Sequence, residues 1–208
     1  MKKGIFFDLD GTLWDAVENI TNSWNEELKR LGYDVCLTPP QLQKEMGKLM
    51  EDIADSVFPM IDVSKRYDVL QKCMDYEMEY LANHGGILYD GVEETLKELS
   101  ADYCLAVISN GQETYVKGFL EYYHFEKYFD DYEEAGRTGK PKDENIKLVA
   151  ERNQVDTFYY VGDILADMVS AEAAGATFIH AAYGFGTVPE DRLKIQSIRE
   201  LPELMKSL

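Results

Sequence analysis

Five short segments, Gly4 to Asp8, Tyr103 to Ser109, Phe129 to Glu133, Phe158 to Val161 and Thr177 to Ala181, read as strands, most of them halted by Gly, Asp, Ser or Asn. Several are near-continuous apolar runs, the pattern of strands covered on both faces. Helical stretches lie between them, at Val92 to Leu99, Thr114 to Tyr123, Lys142 to Arg152 and Asp167 to Ala174. A strand-then-helix alternation of this kind predicts an α/β fold with a doubly wound parallel sheet. One interval breaks the alternation. From Ala16 to Gly85 the pattern is helical throughout, punctuated by Gly32, Thr38-Pro39-Pro40, Gly47, Pro59 and Asn83-His84-Gly85-Gly86. An excursion of roughly 70 residues is too long for an ordinary connection. It predicts an α-helical lobe, 16–85, inserted into a core made of 1–15 and 86–208.

In an open α/β sheet, ligands bind beyond the carboxyl ends of the strands. Four of those ends carry polar groups. The first strand runs into Asp8-Leu9-Asp10-Gly11-Thr12, two carboxylates whose spacing can send them the same way. Like charges that close need a cation or a shared proton. The second ends in Ser109-Asn110-Gly111, and the third is followed by Gly136-Arg137-Thr138-Gly139-Lys140-Pro141. The fourth ends in Gly162-Asp163 with a further acid, Asp167, four residues on. Hard oxygen donors without His or Cys favour Mg²⁺, which also engages substrate phosphate. A carboxylate can attack phosphorus while a second carboxyl moves the leaving-group proton. The constellation therefore reads as phosphoryl transfer.

The balance of 39 Asp and Glu against 21 Lys and Arg, a net charge of -18, argues against nucleic acid and anionic membranes as partners. A small phosphorylated metabolite can still be held if the site is locally positive, and a metal ion, a lysine and loop amides meet that need. Cys36, Cys73 and Cys104 form no metal or redox spacing. Met1-Lys2-Lys3 runs directly into the first strand without an apolar leader, and no apolar run approaches the roughly 18 residues of a membrane span. A cytoplasmic enzyme is expected.

The four motifs, in this order, resemble those of the haloacid dehalogenase-like (HAD) hydrolase superfamily, and the resemblance covers essentially the whole chain. It implies a Rossmannoid sheet of strand order 5-4-1-2-3, with the helical insertion serving as a cap. It further implies Asp8 as nucleophile and Asp10 as general acid/base. Mg²⁺ would be held by Asp8, the Asp10 carbonyl and Asp163, with Asp167 in support. Ser109, the Asn110 amide and Lys140 would bind the phosphoryl group. The third motif departs from the common Lys-Pro-x-Pro, reading Lys140-Pro141-Lys142-Asp143, so Lys142 competes for the lysine's role.

Asp15-Ala16-Val17-Glu18-Asn19-Ile20, at the opening of the insertion, is most similar to the phosphoglycolate phosphatase-like branch. The implied activity is a Mg²⁺-dependent phosphatase working through an aspartyl-phosphate. A phosphosugar mutase of the β-phosphoglucomutase kind shares the core motifs. A haloacid dehalogenase or a phospho-receiver module fits less well, since both lack an acid at the position of Asp10. Two further residues are candidates for substrate specificity: Trp14, beside the first motif, and Lys48, which follows Met46-Gly47 in the insertion. His84, His124 and His180 are too scattered for a metal site, and Glu133-Glu134 reads as a solvated face.

Overall fold

The structure, a computed structural model, describes residues 2–46, 48 and 50–208. In chain order its elements begin with β1 (Lys3–Phe7), β2 (Trp14–Asp15), α1 (Val17–Arg30), α2 (Pro39–Gln43), α3 (Met50–Val57), α4 (Val63–His84) and β3 (Ile87–Leu88). There follow α5 (Val92–Leu99), β4 (Cys104–Ser109), α6 (Tyr115–Tyr123), β5 (Asp131–Glu134), α7 (Ala135–Thr138) and α8 (Lys142–Arg152). The chain ends with β6 (Thr157–Gly162), α9 (Leu165–Ala174), β7 (Thr177–Ala181), β8 (Leu193–Ile195), a 3₁₀ turn and α10 (Leu201–Ser207). Two compact units result, Met1–Asp15 with Leu88–Leu208, and Ala16–Ile87.

In the first unit, six strands among the described residues form one parallel sheet in the order β5-β4-β1-β6-β7-β8. Five of them follow the order 5-4-1-2-3, and β8 adds an edge strand beside β7. β8 escapes sequence reading because three residues are too few to show a period. All strands point the same way, so their carboxyl ends share one edge. β1 and β4 are central and buried along nearly their whole length, as their apolar runs require. One side of the core joins Phe6, Ala106, Ile108, Ile146, Val149, Tyr160, Met168, Ala171 and Phe178.

The edge strand β5 is different in kind. Its sequence, Asp-Tyr-Glu-Glu, is polar, yet Glu133 and Glu134 are each 1% exposed, which corrects their reading as a solvated face. Their charges are met inside the fold. Glu133 accepts from Arg137 Nε at 2.8 Å and Arg152 Nη1 at 2.7 Å, while Glu134 accepts the backbone N–H groups of Thr114 and Val116 at 2.6 and 2.9 Å. Periodicity reports apolar burial only, so buried carboxylates with charged or backbone partners pass unseen.

The second unit is helical. Val17, Ile20, Trp24 and Leu28 form the buried stripe of α1, at the three- and four-residue spacing of an amphipathic helix. The Trp24 indole N–H donates to Glu77 Oε2 of α4 at 2.6 Å. α4 starts at Asp62, whose carboxylate caps Ser64 N–H at 2.9 Å, and stops at Gly85, which takes a positive φ of 63°.

Replacing Ile146 by Ala is expected to lower the unfolding free energy by ~2–5 kcal/mol. The exposed Val169→Ala should stay within ~0.5 kcal/mol. Urea unfolding of the two variants, compared at equal slope, checks the contrast.

Candidate active site

The turn after β1 is built by its own backbone. Asp8 N–H donates to Val161 O at 2.8 Å, which extends the parallel ladder one residue past the strand. Leu13 N–H then donates to Leu9 O at 2.9 Å and Gly11 N–H to Trp14 O at 2.9 Å, so the chain folds back on itself. Gly11 takes φ +82°, and a Cβ there would fall on the Asp163 carboxylate. Glycine is thus required both by backbone conformation and by the closeness of the fourth motif. Gly184 meets the same limit from another side, since its Cβ would clash with Asp163 and with the Gly11 carbonyl.

Asp8, Asp163 and Asp167 come together at this edge, all buried, with one carboxylate oxygen of each within 4.8 Å of the others. Lys142 Nζ lies between two of them, 2.6 Å from Asp8 Oδ1 and 2.6 Å from Asp167 Oδ1. The other Asp167 oxygen accepts the N–H groups of Asp163 and Ile164 at 3.2 and 3.3 Å, and Asp163 Oδ2 accepts Phe185 N–H at 2.7 Å.

These contacts set the charges. Burial pushes the Asp8 carboxyl well above the usual carboxylate range, the Asp167 carboxylate adds to the rise, and Lys142 opposes it. Burial and then Asp167 raise Asp163 to about 7. Burial alone would lower Lys142, but Asp167 and Asp8 outweigh it and keep the ammonium protonated. Three acids share one lysine, so they cannot all ionise here without a further positive charge, and together they offer an all-oxygen donor set. Both properties suit a hard divalent cation.

Asp10 has a separate environment. Its carboxyl is not part of the three-acid group. Oδ1 accepts the Trp14 indole N–H at 3.0 Å and the Tyr115 hydroxyl at 2.9 Å. Burial raises its pKa to about 6, against the pull of those two hydrogen bonds.

Ser109 ends β4 on the same edge, buried, its hydroxyl oxygen accepting Gly111 N–H at 3.0 Å, and Asn110 follows it in the loop. Lys140 is not brought into the site. It is exposed, its Nζ 3.5 Å from Glu144, and its carbonyl accepts from Asn145 Nδ2 at 3.1 Å. Lys142 takes the central position instead, because Pro141 caps α8 and the buried stripe of that helix runs Lys142, Asn145, Ile146, Val149, Ala150. That three- and four-residue register was the available signal: Lys142 is in phase with the apolar face, and Lys140 lies outside the helix.

Trp14 is also reassigned. It is 1% exposed and packed edge-on against Tyr115, Phe119 and Tyr123, so it belongs to the core rather than to a substrate surface. Lys48, in the second unit, is exposed with its Nζ 2.8 Å from Glu45 Oε2, and Gly47 beside it lies outside the described residues. Tyr115, which sequence reading passed over, contacts Asp10 across a separation of 105 residues that no local pattern reports.

A hard divalent cation should stabilise the chelator-treated protein, by ~2.7 kcal/mol at 100 times its Kd. The melting temperature should therefore rise on addition of the cation, and Asp163→Asn should reduce the rise.

Comparison with known proteins follows the same lines. The chain is 29% identical over 196 residues to a phosphoglycolate phosphatase of Vibrio parahaemolyticus, covering 88% of this chain and 85% of that one. It is 30% identical over 192 residues to a phosphoglycolate phosphatase of Nitrosospira multiformis, covering 88% and 84%. The crystal structure of a predicted phosphatase from Clostridium acetobutylicum superposes with a TM-score of 0.79 at 25% identity over 100% of both chains. Residues 5–181 match the model of the haloacid dehalogenase-like hydrolase family, and with the parallel sheet and its acidic edge already described, the chain belongs to that family.

Proposed function

We propose that the protein is a Mg²⁺-dependent phosphatase that hydrolyses a small phosphorylated metabolite through an aspartyl-phosphate on Asp8. The observation that carries this reading is the contrast between two acids two residues apart. Asp8 is bound to a lysine and grouped with two further carboxylates, whereas Asp10 stands apart from them with one oxygen held by Trp14 and Tyr115. One is equipped to attack and the other to move a proton.

In the first step an Asp8 carboxylate oxygen forms a bond to phosphorus as the bond to the leaving oxygen breaks, and Asp10 gives its proton to that oxygen. In the second, water attacks the acyl phosphate, Asp10 takes back a proton, and Asp8 and inorganic phosphate are released. Lys142 offers its positive charge to the phosphoryl oxygens, assisted by Ser109 and the Asn110 amide. Mg²⁺, held by Asp8, Asp163, the Asp10 carbonyl and, in support, Asp167, would supply further neutralisation of phosphoryl charge. In this reading the helical unit Ala16–Ile87 is the cap. The curated relatives named as phosphoglycolate phosphatases make 2-phosphoglycolate the first substrate to test.

A panel of small phosphate esters assayed with Mg²⁺ should yield inorganic phosphate, and Asp8→Asn should reduce turnover to background. If wild type and Asp8→Asn are equally inert across the panel, the reading fails. Lys142→Met should lower kcat by about 10²-fold or more, while Lys140→Met retains near-wild-type kcat. The reverse ranking would return the phosphate-binding role to Lys140.

A further inference from the structure

The two donors on Asp10 converge on one oxygen. Trp14 reaches Oδ1 because the turn at Gly11 brings residue 14 back alongside residue 10, where the two form an isolated β-bridge. Its indole cannot swing away, for the rings of Tyr115, Phe119 and Tyr123 stand around it at centroid distances of 5.9, 5.1 and 6.3 Å. Tyr115 comes from a different direction, as the first residue of α6. The start of that helix is held by the Glu134 carboxylate, whose two oxygens accept the N–H groups on either side of Tyr115, from Thr114 and Val116. Thr114 is kept there at φ 73°, a left-handed conformation that a β-branched residue adopts only under constraint.

A carboxyl oxygen has two lone pairs for hydrogen bonds. With the indole N–H and the phenol O–H both on Oδ1, that oxygen is filled as an acceptor. The geometry points to Trp14 and Tyr115 as positioning residues for the general acid: by occupying Oδ1 they fix the plane of the Asp10 carboxyl and leave Oδ2 as the oxygen that carries the proton to the leaving group. In the first step the proton passes from Oδ2 to the leaving oxygen as its bond to phosphorus breaks and the Asp8 oxygen–phosphorus bond forms. Asp10 is left as a carboxylate, its Oδ1 still hydrogen-bonded. The inference rests on the phosphatase reading above and deepens it, since neither residue need touch substrate.

The test separates proton delivery from general damage through the leaving group. kcat/KM reports steps only through formation of the phosphoenzyme. It is measured for an alkyl phosphate, whose alcohol must be protonated to leave, and for 2,4-dinitrophenyl phosphate, whose phenolate leaves without a proton. Tyr115→Phe removes a single hydroxyl and should lower kcat/KM for the alkyl ester by about 10-fold or more, while leaving the dinitrophenyl ester nearly unaffected. Trp14→Phe should show the same selectivity, and Tyr122→Phe, on the same helix, should change neither. Melting temperatures with and without a divalent cation verify that the variants fold and retain the cation response. Equal loss on both esters, or loss on neither, overturns the positioning role while Asp8-dependent hydrolysis by wild type keeps the phosphatase reading intact. A wild type inert on both esters overturns that reading, and this inference with it.

Discussion

The buried contact of Lys142 with Asp8 and Asp167 is the interaction on which the first unit's functional edge depends. Three carboxylates brought together out of water repel one another and lose hydration, and one ammonium at 2.6 Å from two of them offsets part of both costs. Removing one partner of such a buried pair typically costs about 3–5 kcal/mol, because the other charge is left without compensation. The lysine is thus a structural element of this edge. The same arrangement leaves three carboxyl groups to one ammonium, an all-oxygen donor set of the kind that suits a hard divalent cation.

The parallel sheet converts this local chemistry into a site. Since every strand runs the same way, Asp8, Ser109, Glu134 and Asp163 are delivered to one edge by four different strands. Each then finds a different partner. Asp163 and Asp167 are oriented by backbone N–H groups, Ser109 by Gly111, and Glu134 by the first turn of α6. Fixed amides of this kind need no reorganisation when charge moves, which is where a protein site differs most from water. Close backbone approach at Gly11 and Gly184 brings the first and fourth motifs into contact and excludes any side chain between them.

The edge strand β5 shows how polar burial extends the network. Glu133 holds Arg137 and Arg152, which ties β5 to α7 and α8, the latter being the helix that carries Lys142. Glu134 holds α6, the helix that carries Tyr115. Two adjacent acids thereby support both sides of the site, the lysine that faces Asp8 and the phenol that faces Asp10.

Much of this was legible in the amino-acid order alone. Apolar runs with polar endings give a parallel sheet and its functional edge, because burial on two faces leaves a continuous hydrophobic signature and ligands collect at the carboxyl ends. Asp8, Asp10, Ser109, Asp163 and Asp167 follow from those endings, since each lies within a few residues of the strand that delivers it. Lys142, Trp14, Tyr115 and Glu134 do not. Their roles depend on which way a side chain points from a helix and on contacts between segments distant in the chain. Lys140 and Lys142 differ by two residues in sequence but by the phase of α8 in space, and Tyr115 meets Asp10 only after β4 and α6 have packed beside β1. The sequence by itself determined the fold class and the acids that line its edge. Tertiary packing decided which lysine neutralises them and which groups hold the second aspartate, because those depend on three-dimensional proximity that no local pattern encodes.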